Sequence, residues 1–108
     1  MEHSVREEAG ALVVYFSGEV DLEHSPAARK VLLDCVGRSS KVLVDLSGVE
    51  YIDSSGVASL VEAFQKAKKS GVEFALVSVN DSARRVLELT RLDKVFTIHD
   101  TLAEGLRT

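Results

Sequence analysis

Cysteine occurs once in the 108 residues, at Cys35, so no internal disulfide can form, and no Cys-x-x-Cys redox pair or zinc cluster can be built from it. Such a chain is expected in a reducing, cytoplasmic compartment. No run of about 18 apolar residues occurs, which removes a membrane-spanning helix and direct insertion into a membrane. The opening MEHSVREEAGALVVYF places Glu2, Arg6, Glu7 and Glu8 ahead of its first apolar run, where a secretion signal would have basic residues and then a longer apolar stretch. No such signal is expected. Positive charge is also scarce: 13 Lys and Arg against 17 Asp and Glu give a net charge of -4. Binding along a phosphate backbone needs clustered cations, so nucleic acid is not an expected partner.

Catalytic signatures are missing as well. The chain has no Gly-Lys-Ser/Thr phosphate loop and no Gly-x-Ser-x-Gly nucleophile elbow. His3, His24 and His99 are scattered over a terminal strand, the loop before the first helix and a late turn, with no metal-ligand spacing among them. No enzyme activity, metal or cofactor is expected. Lys66, Lys68 and Lys69 lie on one face of a predicted helix opposite its apolar stripe, which reads as a solvated face.

What remains is ordinary globular material: 45% hydrophobic and 28% charged residues, in a length that suits one domain spanning 1–108. Ser4 to Glu8 and Ala11 to Phe16 flank the small-residue turn Ala9-Gly10 and read as a hairpin. Ser25-Pro26 reads as an N-cap followed by Pro at the first helical position, and Ala28, Val31, Leu32, Cys35 and Val36 recur at helical spacing up to Gly37. Lys41 to Leu46 (KVLVDL) is a nearly continuous apolar strand suited to the centre of a parallel sheet, ending in a turn at Ser47-Gly48. After Val49 to Ile52, a second helix is predicted from about Asp53 to Gly71, with Val57, Leu60, Val61, Phe64 and Ala67 as its buried stripe. Val72 to Val79 follows as a strand, and Asn80-Asp81-Ser82 as the cap of a third helix. Val95 to Ile98 reads as an edge strand, and Thr101 with Glu104 as the capping box of a fourth helix. The sum is an α/β domain: a mixed sheet with an opening hairpin and about four helices packed against it.

Asp53-Ser54-Ser55-Gly56 is where chemistry concentrates. A helix amino terminus presents unpaired N–H groups and about half a unit of positive charge, so a phosphate is electrostatically favoured there. Asp53 is the natural N-cap, which leaves the Ser54 hydroxyl in the first turn available for modification. These residue types also suit a helix start with no function, so the local pattern alone does not decide between the two.

The wider string VDLSGVEYIDSSGVASLVEAF resembles the STAS domain, in its bacterial anti-sigma factor antagonist subgroup. Gly18-Glu19-Val20-Asp21 and VEFALVSVNDSARRVLELTRLDKVFTIHDT are similar to earlier and later blocks of that family, in the same order. The resemblance implies a regulatory module. Its unphosphorylated form binds an anti-sigma factor with serine kinase activity; phosphorylation of Ser54 releases it, and a metal-dependent serine phosphatase restores it. If the phosphate acts by blocking contact, the partner surface is expected to include Asp21, Glu23, His24 and Ser25 with Asp53, Ser54, Ser55, Gly56 and Ser59, among which Asp53, Ser55 and Ser59 are expected to be exposed. The two segments should lie together, because strand-to-helix loops gather at one edge of a parallel sheet. One departure stands out: Arg91 occupies a position where many relatives have a glycine, so the third helix is expected to end differently.

Two other readings compete. Asp45 at the end of KVLVDL could be the phosphoacceptor of a response-regulator receiver, but that site needs an acidic pair after the first strand, and Glu7-Glu8 is read as sitting in a hairpin turn instead. Asp45 is better read as bonding the Ser47-Gly48 backbone. A STAS-like scaffold subunit of a membrane transport complex is the remaining alternative, and the complete Asp-Ser-Ser-Gly favours the regulatory switch over it.

Overall fold

The computed structural model describes residues 1–108. Ala9 and Gly10 both lie at positive φ, 52° and 82°, as a two-residue hairpin turn requires, and they join β1 (Glu2–Glu8) to β2 (Ala11–Val20). β2 then runs parallel to β3 (Lys41–Ile52), β3 to β4 (Glu73–Val77), and β4 to β5 (Thr97–His99). The result is a five-stranded mixed sheet in the order β1-β2-β3-β4-β5, antiparallel only at the hairpin.

The connections are α1 (Ser25–Arg38), α2 (Ser54–Ser70), α3 (Asp81–Leu89) and, after β5, α4 (Leu102–Arg107). Alternation along the strands sends Val14, Phe16, Val44 and Leu46 to one face, where they meet Leu32, Val36, Leu60, Ala63 and Leu87 of the first three helices. Ala11, Leu43, Ala75 and Val77 point the other way and are covered by Leu102 and Leu106 of α4. That contact is close because position 105 is glycine: a Cβ there would stand 2.8 Å from Val77 Cγ1.

Several predicted boundaries shift. Ser47-Gly48 is not a turn. β3 runs straight through it and carries extra residues against β2, since Tyr15 pairs with Asp45 while Ser17 pairs with Gly48. Glycine at 48 leaves room for the Tyr15 side chain that lies over it: a Cβ would fall 2.2 Å from the Tyr15 hydroxyl oxygen, so the ring would have to move. Asp45 accepts the Ser47 N–H at 2.9 Å, as expected, but from within the strand. Ser25 is not the N-cap of α1. That place belongs to His24, because the Asp21 carbonyl already accepts the Ser25 N–H at 2.7 Å and folds residues 21–24 into a turn that leads into the helix. Gly37 stays within α1, which ends at Arg38.

β4 is shorter than predicted because Ser78 turns to φ 52°. β5 begins two residues late, since Val95 and Phe96 both donate to the Leu92 carbonyl in a short 3-10 turn over Leu92–Lys94. Phe96 is thereby buried edge-on to Phe64, with ring centroids 5.4 Å apart. His99 consequently lies in β5 rather than in a turn. Arg91 overturns the expectation of a different helix end: it adopts φ 62°, the left-handed conformation that a glycine would have supplied.

Two caps do more than start a helix. The Asn80 side-chain carbonyl accepts the Ala83 N–H at 2.9 Å, while its amide donates to the Ser47 and Val49 carbonyls, hooking α3 onto the irregular stretch of β3. Thr101 Oγ1 accepts the Glu104 N–H at 3.1 Å, with the Glu104 carboxylate reaching back to the Asp100 N–H. No helix is long and apolar enough to cross a membrane.

Candidate functional site

Parallel pairing of β2 and β3 brings both of their carboxyl ends to the same edge, so the β2–α1 loop and the start of α2 meet there. Asp53 joins them. Its Oδ1 accepts the N–H groups of Ser55 and Gly56, at 2.9 and 3.1 Å, which caps α2. Its Oδ2 accepts the Leu22 N–H at 3.1 Å across 31 residues of sequence. One carboxylate thus caps the helix and fixes the neighbouring loop.

Gly56 allows the approach. A Cβ at that position would lie 2.2 Å from the Val20 carbonyl oxygen and 2.8 Å from Ile52 Cγ1. Ser54 occupies the first position of α2 and is exposed, and its hydroxyl takes no part in the cap. Ser55, beside it, is half-buried.

Ser59 is not the exposed residue that the sequence suggested. It is 4% exposed, and its hydroxyl is placed 3.2 Å from both the Ser25 and the Ser55 carbonyl oxygens, where it bonds α2 to the start of α1. The reason is helical spacing: four residues after Ser55, it falls on the side of α2 that faces α1. Gly56 is likewise buried.

The facing loop is held by Asp21. Its Oδ1 lies 2.6 Å from His24 Nδ1 and accepts the His24 backbone N–H at 3.1 Å. The other ring nitrogen, Nε2, is 3.4 Å from the Glu23 carboxylate. Partial burial works to raise the pKa of the Asp21 carboxyl, but the bonds from the His24 ring and backbone, with the charge of that ring, outweigh it and hold the group below the ordinary aspartate range. Asp21, Glu23 and Asp53 leave this edge acidic.

Sequence reading missed an ion pair next to the site. Arg29 of α1 grips Glu62 of α2 with two bonds, at 2.5 and 3.0 Å, along a shallow cleft also lined by Ser25, Ser55 and Ser59. These bonds raise the Arg29 pKa and lower that of Glu62. The partners are 33 residues apart, so only the packing of α1 against α2 pairs them. Cys35 is buried in the same helix layer, and desolvation pushes its thiol pKa up, away from reactivity.

Comparison with known proteins identifies the family and agrees with the fold. The chain matches the STAS domain family over residues 2–105. It is 33% identical to the anti-sigma-F factor antagonist RsfB of Mycobacterium tuberculosis over 104 residues, covering 95% of this chain and 84% of that one. A Thermotoga maritima relative is 42% identical over 67 residues, a stretch that spans only 59% of that protein. The crystal structure of an anti-sigma factor antagonist from Mycobacterium paratuberculosis superposes with a TM-score of 0.90 at 32% identity, covering 98% of this chain and 91% of that one. The match extends from β1 into α4 and is not confined to the Asp-Ser-Ser-Gly segment, so the chain belongs to the STAS domain family, in the branch that holds the anti-sigma factor antagonists.

Proposed function

We propose that this protein is an anti-sigma factor antagonist that works by partner switching. In its unmodified form it binds an anti-sigma factor with serine kinase activity. Phosphorylation of Ser54 releases it, and a metal-dependent serine phosphatase resets it. The protein itself performs no catalysis and acts on transcription through its partner, in the cytoplasm. The observation that carries this reading is the division of labour at the start of α2: Asp53 does the capping, which leaves the Ser54 hydroxyl exposed and uncommitted at the positive end of a 17-residue helix.

The partner surface consists of Asp53, Ser54, Ser55 and Gly56 together with Asp21, Glu23, His24 and Ser25. Ser59 contributes from below, by fastening α2 to Ser25. A kinase must bring its nucleotide within reach of Ser54 Oγ. After transfer, the phosphoserine faces the phosphates of the nucleotide product and stands beside Asp53. About -1.5 to -2 units of charge and three oxygens then have to be desolvated in a contact that previously held a hydroxyl. Since about 1.4 kcal/mol is tenfold in affinity, a penalty of a few kcal/mol ends the complex.

The test is incubation with the cognate anti-sigma kinase and ATP. One phosphate is expected, at Ser54; Ser54→Ala abolishes it and Ser55→Ala does not. Phosphopeptide mapping to Ser55 or Ser59 would refute the assignment.

A further inference from the structure

Leu22 is 72% exposed, in a loop whose backbone is hydrogen-bonded at both its N–H and its carbonyl. Its N–H donates to Asp53 Oδ2 at 3.1 Å, and its carbonyl accepts the Ser25 hydroxyl at 3.4 Å. The Ser25 and His24 N–H groups close the same turn on Asp21. Isolated surface leucines are common and need no explanation. Here, however, the backbone that carries the apolar side chain is bonded to the carboxylate that caps the helix bearing Ser54, between the acidic residues Asp21 and Glu23. Leu89 is as exposed, but it sits on the last turn of α3 with no tie to that cap.

We infer that Leu22 is the apolar anchor by which the anti-sigma factor grips this edge, and that Asp53 positions it. The inference rests on the partner reading above. The occupant is a partner surface with an apolar depression to receive Leu22 and basic side chains opposite Asp21 and Glu23. Glu23, whose side chain is 80% exposed, has only the His24 ring near it as a counter-charge and is free to pair outward. A buried apolar centre inside a polar rim is how interface anchors are built, and fixing the loop beforehand removes the ordering entropy that binding would otherwise have to overcome. The same arrangement gives Asp53 a second function: besides capping the helix that begins with Ser54, it ties that helix start to the loop that presents the anchor.

The experiment uses the full chain and purified anti-sigma factors of its source bacterium, carrying forward the one that the unsubstituted chain binds. Leu22→Ser should weaken that binding roughly tenfold or more, with unchanged thermal melting because the side chain adds nothing to the core. Leu22→Met should retain most of the affinity, and Val5→Ser, on the outer strand β1, all of it. Asp53→Asn preserves a cap but removes one carboxylate acceptor. It should speed hydrogen exchange of the Leu22 amide, and its effect on binding should shrink when it is combined with Leu22→Ser; an equal effect in both backgrounds would show that Asp53 acts by direct contact and would overturn its positioning role. Glu23→Lys should flatten the salt dependence of association. If one anti-sigma factor binds and Leu22→Ser binds it equally well, the anchor is refuted while the functional reading stands; if none binds, the functional reading itself falls and the anchor with it.

Discussion

Gly56 of α2 and Val20 of β2 meet backbone to backbone, so closely that a Cβ on residue 56 would stand 2.2 Å from the Val20 carbonyl oxygen. That carbonyl also accepts the Asp53 N–H, at 3.4 Å. The end of β2 therefore touches the first turn of α2 at two points, and the position of Ser54 relative to the β2–α1 loop depends on a side chain that is not there.

Gly56→Ala should accordingly do more harm than a glycine-to-alanine change inside a helix, which normally stabilises. The atom it meets is backbone and cannot rotate away, so α2 or β2 must shift. A loss of about 1–3 kcal/mol is expected in denaturant unfolding, accompanied by slower phosphorylation of Ser54 under conditions where the variant is fully folded. A variant as stable as the parent and phosphorylated at the same rate would mean that the contact relaxes freely.

Ser54→Asp tests the switch without a kinase. An acid in the first turn suits the helix dipole, and Ser54 is exposed, so stability should stay within roughly 1 kcal/mol of the parent while affinity for the anti-sigma factor falls. A large drop in melting temperature would identify Ser54 as structural instead, and undiminished affinity would place the interface elsewhere.

Arg91 adopts φ 62° at the end of α3, in a region that disfavours any residue with a Cβ by about 1–2 kcal/mol. Glycine removes that strain but loses about 0.5–1 kcal/mol of chain entropy on folding. The balance predicts that Arg91→Gly stabilises the protein, by up to about 1.5 kcal/mol, with no effect on phosphorylation. Arg91→Ala should gain nothing, since it keeps the Cβ, and comparing the two unfolding curves separates strain from charge.

The Asp21–His24 contact sets the acid limit of the site. Because the folded pKa of Asp21 lies below its unfolded value of about 4, the contribution of this carboxylate to stability is present in full above pH 4 and is lost as pH falls through the folded value. The side-chain carboxyl carbon of Asp21 followed by NMR should therefore titrate with a midpoint below that of an ordinary aspartate. His24→Ala should move the Asp21 midpoint upward. A midpoint that stays put in that variant would show that the ring is not what stabilises the charge.

Capping is decided within three or four residues. For that reason Asp53 before Ser55 and Gly56, Asn80 before Ala83, and Thr101 before Glu104 could all be placed from the sequence, as could the alternating helices and strands between them. The same holds for Ser54 as the exposed residue of its motif, since an N-cap at 53 puts 54 on the open first turn. Wherever the deciding partner was far along the chain, the sequence alone misled or was silent. Gly48 looked like a turn because the Tyr15 ring for which it leaves room is distant in sequence, and Ser59 looked exposed because its bond to Ser25 exists only once α1 lies against α2. At Arg91 the strain of a left-handed residue with a Cβ pointed to a different helix end, yet the residue adopts φ 62°. Arg29 with Glu62, and Leu22 with Asp53, are more than 30 residues apart and have no local signature. Periodicity is local and therefore legible, and so is capping except at α1, where the turn closed on Asp21 moves the cap from Ser25 to His24; which loop meets which helix start follows from the parallel pairing of β2 with β3, and that is a property of the assembled sheet.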